Sequence, residues 1–373
     1  MTLEAKLGGP GPKRMLALDG GGIRGLLSVE ILSEMESVLR RQTGAGPEFV
    51  LADYFDYIAG TSTGGIIAVL LSLGWSIAAI RSFYVDHGRQ MFHRAFAPWR
   101  LYRSMYRATD LRATLRKLIG PETTLGSASV RTLLMLVMRN VNTDSPWPIS
   151  NNPAAKYNLR GEASCNLELP LWQLVRASTA APLFFPPELV RVGDTEFAFT
   201  DGGMTSYNNP AFLLFLMATL APYRLGWPAG EDRLLLVSVG TGTNPRPDVR
   251  RSSNVFGGVM SLLMDPRFAA LVQQDLLCRV FGRCLVGDPI DAEVGDLIDP
   301  AASPFPKQFT YVRYNAELSR PGLDALGLPE VNPRQVGKLD SVAYMDDLRR
   351  VGRAVAERQV RTEHFAGFPG SHA

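Results

Sequence analysis

The chain reads as an α/β protein, and three short stretches carry that reading. Each joins an apolar run of strand length to a glycine-containing turn and then to an apolar helix: residues 14 to 41, 57 to 71 and 197 to 220. Strands alternating with helical patterns over such distances are the pattern of a sheet built from successive strand–turn–helix units. With 373 residues and 46% apolar content there is material for a large core. No linker divides the chain, so the expectation is one α/β domain over residues 14 to 361, with a helical insert at about 88 to 130. The part from 321 to 361 is expected to be helical, and residues 1 to 13 and 362 to 373 to be flexible tails.

The first unit is the strand Arg14-Met15-Leu16-Ala17-Leu18 followed by Asp19-Gly20-Gly21-Gly22-Ile23-Arg24-Gly25. Leu27, Ile31, Met35 and Val38 then recur at helical spacing as far as Arg41, and Thr43 to Pro47 end the helix. Gly20, Gly22 and Gly25 satisfy G-x-G-x-x-G, which in a βαβ unit seats a dinucleotide pyrophosphate. That reading needs an acidic residue at the end of a second strand about twenty residues on. Positions 38 to 46 are still helix and turn. The competing reading is an oxyanion hole, in which backbone N–H groups of side-chain-free residues approach a developing negative charge, each worth about 3 kcal/mol.

The second unit is Tyr57-Ile58-Ala59, Gly60-Thr61-Ser62-Thr63-Gly64, and the all-round apolar helix Gly65 to Leu71. Strand, G-x-S-x-G and helix together form a nucleophile elbow. The turn is sharp enough to strain the serine, and glycine at both flanks leaves room for it. Ser62 Oγ is then presented at a strand end beside the first amides of a helix, where negative charge is favoured.

The third unit is Phe197-Ala198-Phe199-Thr200, alternating as a strand does, then Asp201-Gly202-Gly203 and, through Asn208-Asn209-Pro210, the helix Ala211 to Leu220. The two glycines let the chain turn away and leave Asp201 presented at the strand end. On its own such an aspartate could equally cap a turn.

Asp19-Gly-Gly-Gly-Ile-Arg-Gly25, Gly60-Thr-Ser-Thr-Gly64 and Asp201-Gly-Gly203, in this order, resemble the patatin-like phospholipases. The motif-bearing core spans residues 14 to 212. The resemblance implies a three-layer fold with a central, mostly parallel sheet between helices. It also implies a Ser-Asp dyad acyl hydrolase: Ser62 as nucleophile, Asp201 as base, Gly20, Gly21 and Gly22 as oxyanion hole, and Arg24, Gly25, Gly60, Thr63, Gly64, Gly202 and Gly203 as supporting motif positions. Neither metal nor cofactor is implied. Pro170 to Pro182, a helix ending at a proline, and Leu234 to Gly242, a strand entering a turn, are similar to the family as well. The arginine-rich insert is similar to that of patatin effectors of bacterial anti-phage systems, which a cyclic oligonucleotide switches on. The expected partners are thus a phospholipid membrane surface, bound peripherally, and a cyclic oligonucleotide activator, with no nucleic acid polymer. A nucleotide-binding module using Gly20 to Gly25 and a catalytically silent scaffold are the alternatives; intact Ser62 and Asp201 disfavour the second.

A histidine triad has to be weighed, because the order Ser62, Asp201, His364 is that of α/β-hydrolases. His364 follows a long helical pattern, Arg334 to Val360, and lies in a terminal segment expected to fray. His87 and His93 sit at and beyond the end of the helix Ser76 to Val85. The residues favour a dyad, which suffices where the carboxylate is desolvated, since burial makes it a better base.

Between elbow and aspartate, Arg89 to Lys117 hold eight Arg or Lys and one acid, Asp110, mixed with Phe92, Phe96, Trp99, Tyr102 and Tyr106. Such a mixture suits an anionic lipid surface or a nucleotide, and also a plain helical cap. Residues 140 to 157 read as a long loop around Trp147. Val255 to Phe281 reads as one or two helices, Cys284 to Phe305 as an irregular acidic loop and Phe309 to Tyr314 as a strand. The three cysteines, Cys165, Cys278 and Cys284, are odd in number and lack metal-ligand spacing, so a reducing compartment is expected. The N-terminus has no apolar h-region, and no run is long enough to span a bilayer. The expected location is cytoplasmic, peripheral to the inner membrane when active.

Overall fold

The computed structural model describes residues 3–91, 108–182, 184–243 and 255–370. Nine strands form one sheet: β1 (Lys13–Leu18), β2 (Tyr57–Thr61), β3 (Leu133–Asn140), β4 (Ser145–Ser150), β5 (Glu188–Val192), β6 (Thr195–Asp201), β7 (Leu234–Val239), β8 (Gly282–Val286) and β9 (Phe309–Tyr314). Six of them run parallel in the order β3-β2-β1-β7-β9-β8, while β4, β5 and β6 are antiparallel at one side.

The helices are α1 (Leu3–Gly8), α2 (Gly25–Thr43), α3 (Leu51–Tyr54), α4 (Thr63–Ser72), α5 (Ile77–Met91), α6 (Ala108–Ile119), α7 (Leu171–Ser178), α8 (Ala211–Thr219), α9 (Val255–Phe281), α10 (Arg320–Ala325), α11 (Pro333–Val336) and α12 (Met345–Gln359). Alternate strand residues divide between two cores. Leu16, Leu18, Ile58, Leu134, Leu136 and Val237 pack with apolar residues of α2, α4, α7 and α12. Met15, Ala17, Ala59, Leu133, Leu236 and Tyr311 pack instead with α8 and with Cys278 of α9. Both faces of the parallel strands are therefore covered, which is why those strands read as unbroken apolar runs rather than alternating ones. This is the expected three-layer α/β arrangement.

The antiparallel side positions the site. Residues 135 to 137 of β3 pair with both β2 and β4, and residues 138 to 140 with both β4 and β6. A strand has only two edges, so β2 and β6 follow one another along the same edge of β3. Thr61 pairs with Val137 and Asp201 with Met138, the next residue. Ser62, just after the end of β2, thus lies beside Asp201, the last residue of β6.

Several sequence expectations need correction. Residues 140 to 157 are not all loop, since β4 occupies Ser145–Ser150 despite two prolines. β8 takes the start of the segment read as an irregular loop from Cys284. The helix expected over 334 to 360 is broken into α11, a short 3-10 turn at Val342–Tyr344 and α12. The reason lies in the glycine loop: Leu339 O accepts from Ile23 N (2.9 Å) and Gly337 O from Arg24 Nη1 (3.5 Å), so these carbonyls serve another segment. The chain ends are packed where described. Lys6 of α1 is buried and donates to the carbonyls of Ala52 and Phe55, while Tyr54 Oη donates to Phe368 O (2.8 Å) and Phe365 is fully buried.

Residues 92–107 of the basic insert lie outside the described residues. Within α6, Leu111 and Leu115 are buried, Arg112 pairs with Glu188 (2.7 Å), and Arg116 lies over the Trp172 ring. Two of the insert's cations are thus engaged by the protein itself. No helix among the described residues is long and apolar enough to cross a membrane.

Candidate active site

The loops that follow β1, β2 and β7 meet at the carboxyl ends of parallel strands, where open α/β sheets bind ligands. At the centre is Ser62, with φ 55° and ψ −123°, a conformation L-residues avoid. Two close approaches hold it there. A Cβ on Gly60 would lie 2.1 Å from Gly64 O, and one on Gly64 would lie 2.2 Å from Leu18 O. Only glycine at both positions allows the strand and helix to meet at this angle. Ser62 N donates to Ser178 Oγ (3.0 Å), which donates in turn to Val137 O (2.6 Å). Ser178, at the end of α7, thereby ties the elbow to β3. Sequence reasoning missed it, because a serine near a helix end has no distinguishing spacing.

Asp201 is 1% exposed and Ser62 7%. Ser62 Oγ donates to Asp201 Oδ2 at 2.7 Å, and Gly203 N donates to Oδ1 at 2.6 Å. With one carboxylate oxygen fixed by a backbone amide, the other is aimed at the serine. Asp201 N also donates to Ala180 O (3.0 Å), and Gly202 backs against β3, where a Cβ would meet Val137 O at 2.2 Å. Below lies Arg176, wholly buried, over the Phe185 ring and 3.9 Å from Glu188. Burial pushes its guanidinium down to about 10, while Glu188 and, more weakly, Asp201 favour its charge. A buried cation near the dyad is a second feature that the sequence did not announce.

The three glycines expected as oxyanion donors separate on inspection. Gly20 N donates to Asn208 O (3.0 Å), and Gly20 O accepts from Thr241 Oγ1 (3.0 Å) and Asn208 Nδ2 (3.3 Å). Gly20 is therefore an anchor, and its amide is already used. The amides of Gly21 and Gly22 donate to no protein acceptor among the described residues, and neither does that of Thr63, the first of α4. Gly22 and Thr63 line one pocket with Ser62 and Asp201. The remaining wall is mostly apolar, formed by Ile66, Leu111, Ala181, Phe184, Phe185 and Leu339, with Thr179 and Asp340 as its polar members. Arg24 bonds the 337 to 339 segment, and Gly25 begins α2 against Thr63 and Tyr84.

Asp19, which opens the glycine loop, forms a fully buried pair with Arg313 of β9. Nη1 donates to Oδ1 (2.9 Å), Nη2 to Oδ2 (2.6 Å), and Nη1 also to Ser238 Oγ (2.7 Å). Burial alone would raise the Asp19 carboxyl, and Arg313 pulls against it; the same contact holds Arg313 above its ordinary range. The pair explains why the motif begins with aspartate. Its partner is 294 residues away and could not be identified from sequence.

The dinucleotide reading of Gly20 to Gly25 is not supported. Ile23 N, at the helical start, is taken by Leu339 O, and the glycine loop is packed by Asn208 and Thr241. His364 does not meet the dyad either. Its Nδ1 bonds Tyr314 Oη at 2.8 Å. His87 contacts Phe83 and Gln90, and His93 lies outside the described residues.

Residues 16–215 match the family model described as patatin-like phospholipase. The chain is 29% identical over 234 residues to a cGAMP-activated phospholipase of Escherichia coli (strain TW11681), covering 61% of this chain and 62% of that protein. It is 30% identical over 210 residues to a cGAMP-activated phospholipase of Vibrio cholerae serotype O1, covering 54% and 56%. To patatin-like protein 1 of Arabidopsis thaliana it is 31% identical over 278 residues, covering 67% and 64%. The chain spans less than two thirds of the length of these curated relatives.

Proposed function

The chain belongs to the patatin-like phospholipase family, and on that premise we propose that it is a serine acyl hydrolase cleaving acyl esters of membrane glycerophospholipids. The observation that carries the reading is the 2.7 Å hydrogen bond from Ser62 Oγ to Asp201 Oδ2, buried at the carboxyl end of the sheet beside free backbone amides.

In this mechanism Ser62 Oγ attacks the ester carbonyl carbon as its proton passes to Asp201. The carbonyl oxygen becomes an oxyanion facing the amides of Gly21, Gly22 and Thr63, and the positive end of α4 adds to the same field. The tetrahedral species collapses, the alkoxide leaves with the proton from Asp201, and an acyl-Ser62 ester remains. Water then attacks that ester, giving a proton to Asp201, and the second tetrahedral species collapses as Ser62 Oγ takes that proton back and the fatty acid departs, restoring Ser62 and ionised Asp201. The apolar wall of Ile66, Leu111, Phe184, Phe185 and Leu339 suits an acyl chain.

Two relatives named as cGAMP-activated phospholipases support a finer reading, in which a cyclic oligonucleotide switches the enzyme on for anti-phage defence. It would act at the cytoplasmic face of a membrane, bound peripherally.

The test is product analysis by mass spectrometry on mixed liposomes, with fluorophosphonate labelling, for wild type, Ser62→Ala and Asp201→Asn. Ser62→Ala should lose labelling and turnover, and Asp201→Asn should lose about 100- to 10,000-fold in turnover. Labelling that persists at another serine in folded Ser62→Ala would overturn the assignment. Basal turnover of a soluble ester that no cyclic nucleotide changes would remove the switch and leave the hydrolase.

A further inference from the structure

Four arginines are buried among the described residues: Arg14, Arg176, Arg279 and Arg313. Three of them close a two-bond fork on a carboxylate. Arg14 holds Asp56 (3.1 and 3.1 Å), Arg279 holds Asp275 (3.1 and 2.6 Å) and Arg313 holds Asp19 (2.9 and 2.6 Å). Arg176 does not. Its Nη2 donates to Pro186 O (3.1 Å), while its Nε and Nη1 have no hydrogen-bond partner among the described residues. Glu188 Oε2 stays 3.9 Å from Nε, and that oxygen already accepts from Arg112 Nη2 of α6 (2.7 Å).

A fully buried cation with two unmatched donors is costly to keep. Neutralising Glu188 does not explain it, because Arg112 does that with the better geometry. What distinguishes Arg176 is a charge only partly offset by its ion-pair partner, in surroundings where charges act more strongly than in water.

Its place in the fold says what that charge acts on. Arg176 lies two residues before Ser178, which binds Ser62 N, and Ala180 O, four residues on, accepts from Asp201 N. The guanidinium sits 4.9 Å from the centre of the Phe185 ring, and that ring lines the pocket with Ser62 and Asp201. Glu188 pairs across the sheet with Phe199, two residues before Asp201 on β6. Asp201 is itself buried, and a carboxylate can take the Ser62 proton only while it is ionised, a form that burial disfavours and a nearby cation favours. We infer that Arg176 is a positioning residue of the proposed hydrolase, the counter-charge that keeps Asp201 ionised.

Burial brings the guanidinium down to about 10 against the pull of Glu188 and then of Asp201, so it stays charged through neutral pH, and that pull is mutual. The other charged groups around the dyad are Asp340 on the pocket wall, Arg24 at the glycine loop, and the pairs Asp19–Arg313, Arg112–Glu188 and Arg139–Asp144. Arg313, Arg112 and Arg139 each bond an acid of their own.

The sign follows directly. Without the cation Asp201 takes up a proton at higher pH, so activity is lost earlier on acidification. The test is the pH profile of kcat/KM for a soluble ester with the full chain, whose acid limb reports the base of the free enzyme. Arg176→Met, and Arg176→Gln, which can still donate to Pro186 O, should each move that limb up by about one pH unit, an about tenfold loss at the acid end relative to the plateau. Arg176→Lys keeps the charge and should leave the limb near wild type. Glu188→Gln removes the charge that opposes Arg176 and should move the limb down. A merely structural Arg176 predicts a lower Tm and plateau with the limb in place. An unmoved limb in a folded neutral variant, or equal movement in the Met and Lys variants, overturns the inference. If neither neutral variant folds, a limb that stays or rises in Glu188→Gln overturns it. Because the inference rests on the hydrolase reading, wild type is measured first: absence of ester turnover refutes that reading, whereas turnover with a limb indifferent to Arg176 refutes the counter-charge alone.

Discussion

Replacing Asp19 by asparagine keeps the volume of the side chain and removes one charge from a pair that is 2% exposed at Arg313 and fully buried at Asp19. Arg313 would keep its hydrogen bond to Ser238 and lose two charge-assisted bonds to carboxylate oxygen. Asp275, which also acts on Arg313, is already held by Arg279 (2.6 Å) and by Tyr311 Oη (2.9 Å). Stranding one member of a buried pair costs about 3–5 kcal/mol. For 373 residues at about 2.1 cal/mol/K per residue, the unfolding entropy is roughly 0.8 kcal/mol/K. The expected fall in Tm is therefore about 4–6 °C, measured by calorimetry or thermal shift. The double variant Asp19→Asn with Arg313→Met removes the stranded charge and should recover part of that loss, a coupling that a double-mutant cycle reads directly. Because Asp19 precedes the free amides of Gly21 and Gly22, kcat for a soluble ester should fall in the single variant even well below its Tm. A Tm within about 1 °C of wild type, or a double variant no better than the sum of the two singles, would refute the argument.

Three further outcomes follow from the geometry. Ser178→Ala leaves Ser62 N and Val137 O without their shared hydroxyl, about 1–3 kcal/mol for each stranded group; acylation by a fluorophosphonate should slow, and an unchanged labelling rate and Tm would show the bridge to be idle. Gly64→Ala places a methyl 2.2 Å from Leu18 O, so soluble yield, Tm and turnover should all fall, by about 1–3 kcal/mol or more in stability; a folded, active variant would contradict the elbow geometry. Burial holds the His364 imidazole below its ordinary pKa, more than Glu363 restores it. Its contribution to stability is then present above about pH 6.5 and is lost as pH falls through the folded value. His364→Gln should flatten the change in Tm between pH 7.5 and 5.5 without lowering turnover at pH 7.5; an equal slope in both proteins, or lost turnover, would go against this.

What the sequence determined by itself was local. The run Arg14 to Leu18, the pattern around Gly60 and Gly64, and the turn Asp201 to Gly203 each state their own conformation. Strand length, glycine at a close approach and helix period are written within a few neighbours. The layered α/β class followed from repeating that unit, and the family from the order of the three motifs. Tertiary structure decided everything that needed a distant partner. Residues 334 to 360 carry a helical period, yet Gly337 and Leu339 give their carbonyls to Arg24 and Ile23, and the helix breaks there. Gly20 looked equivalent to Gly21 and Gly22 until Asn208 took its amide. Ser178 and Arg313 belong to the site through pairing across 116 and 294 residues of chain, to Ser62 and Asp19, and Arg176 through burial beside Glu188. Periodicity reports which way a side chain faces, whereas only the folded chain determines what it meets.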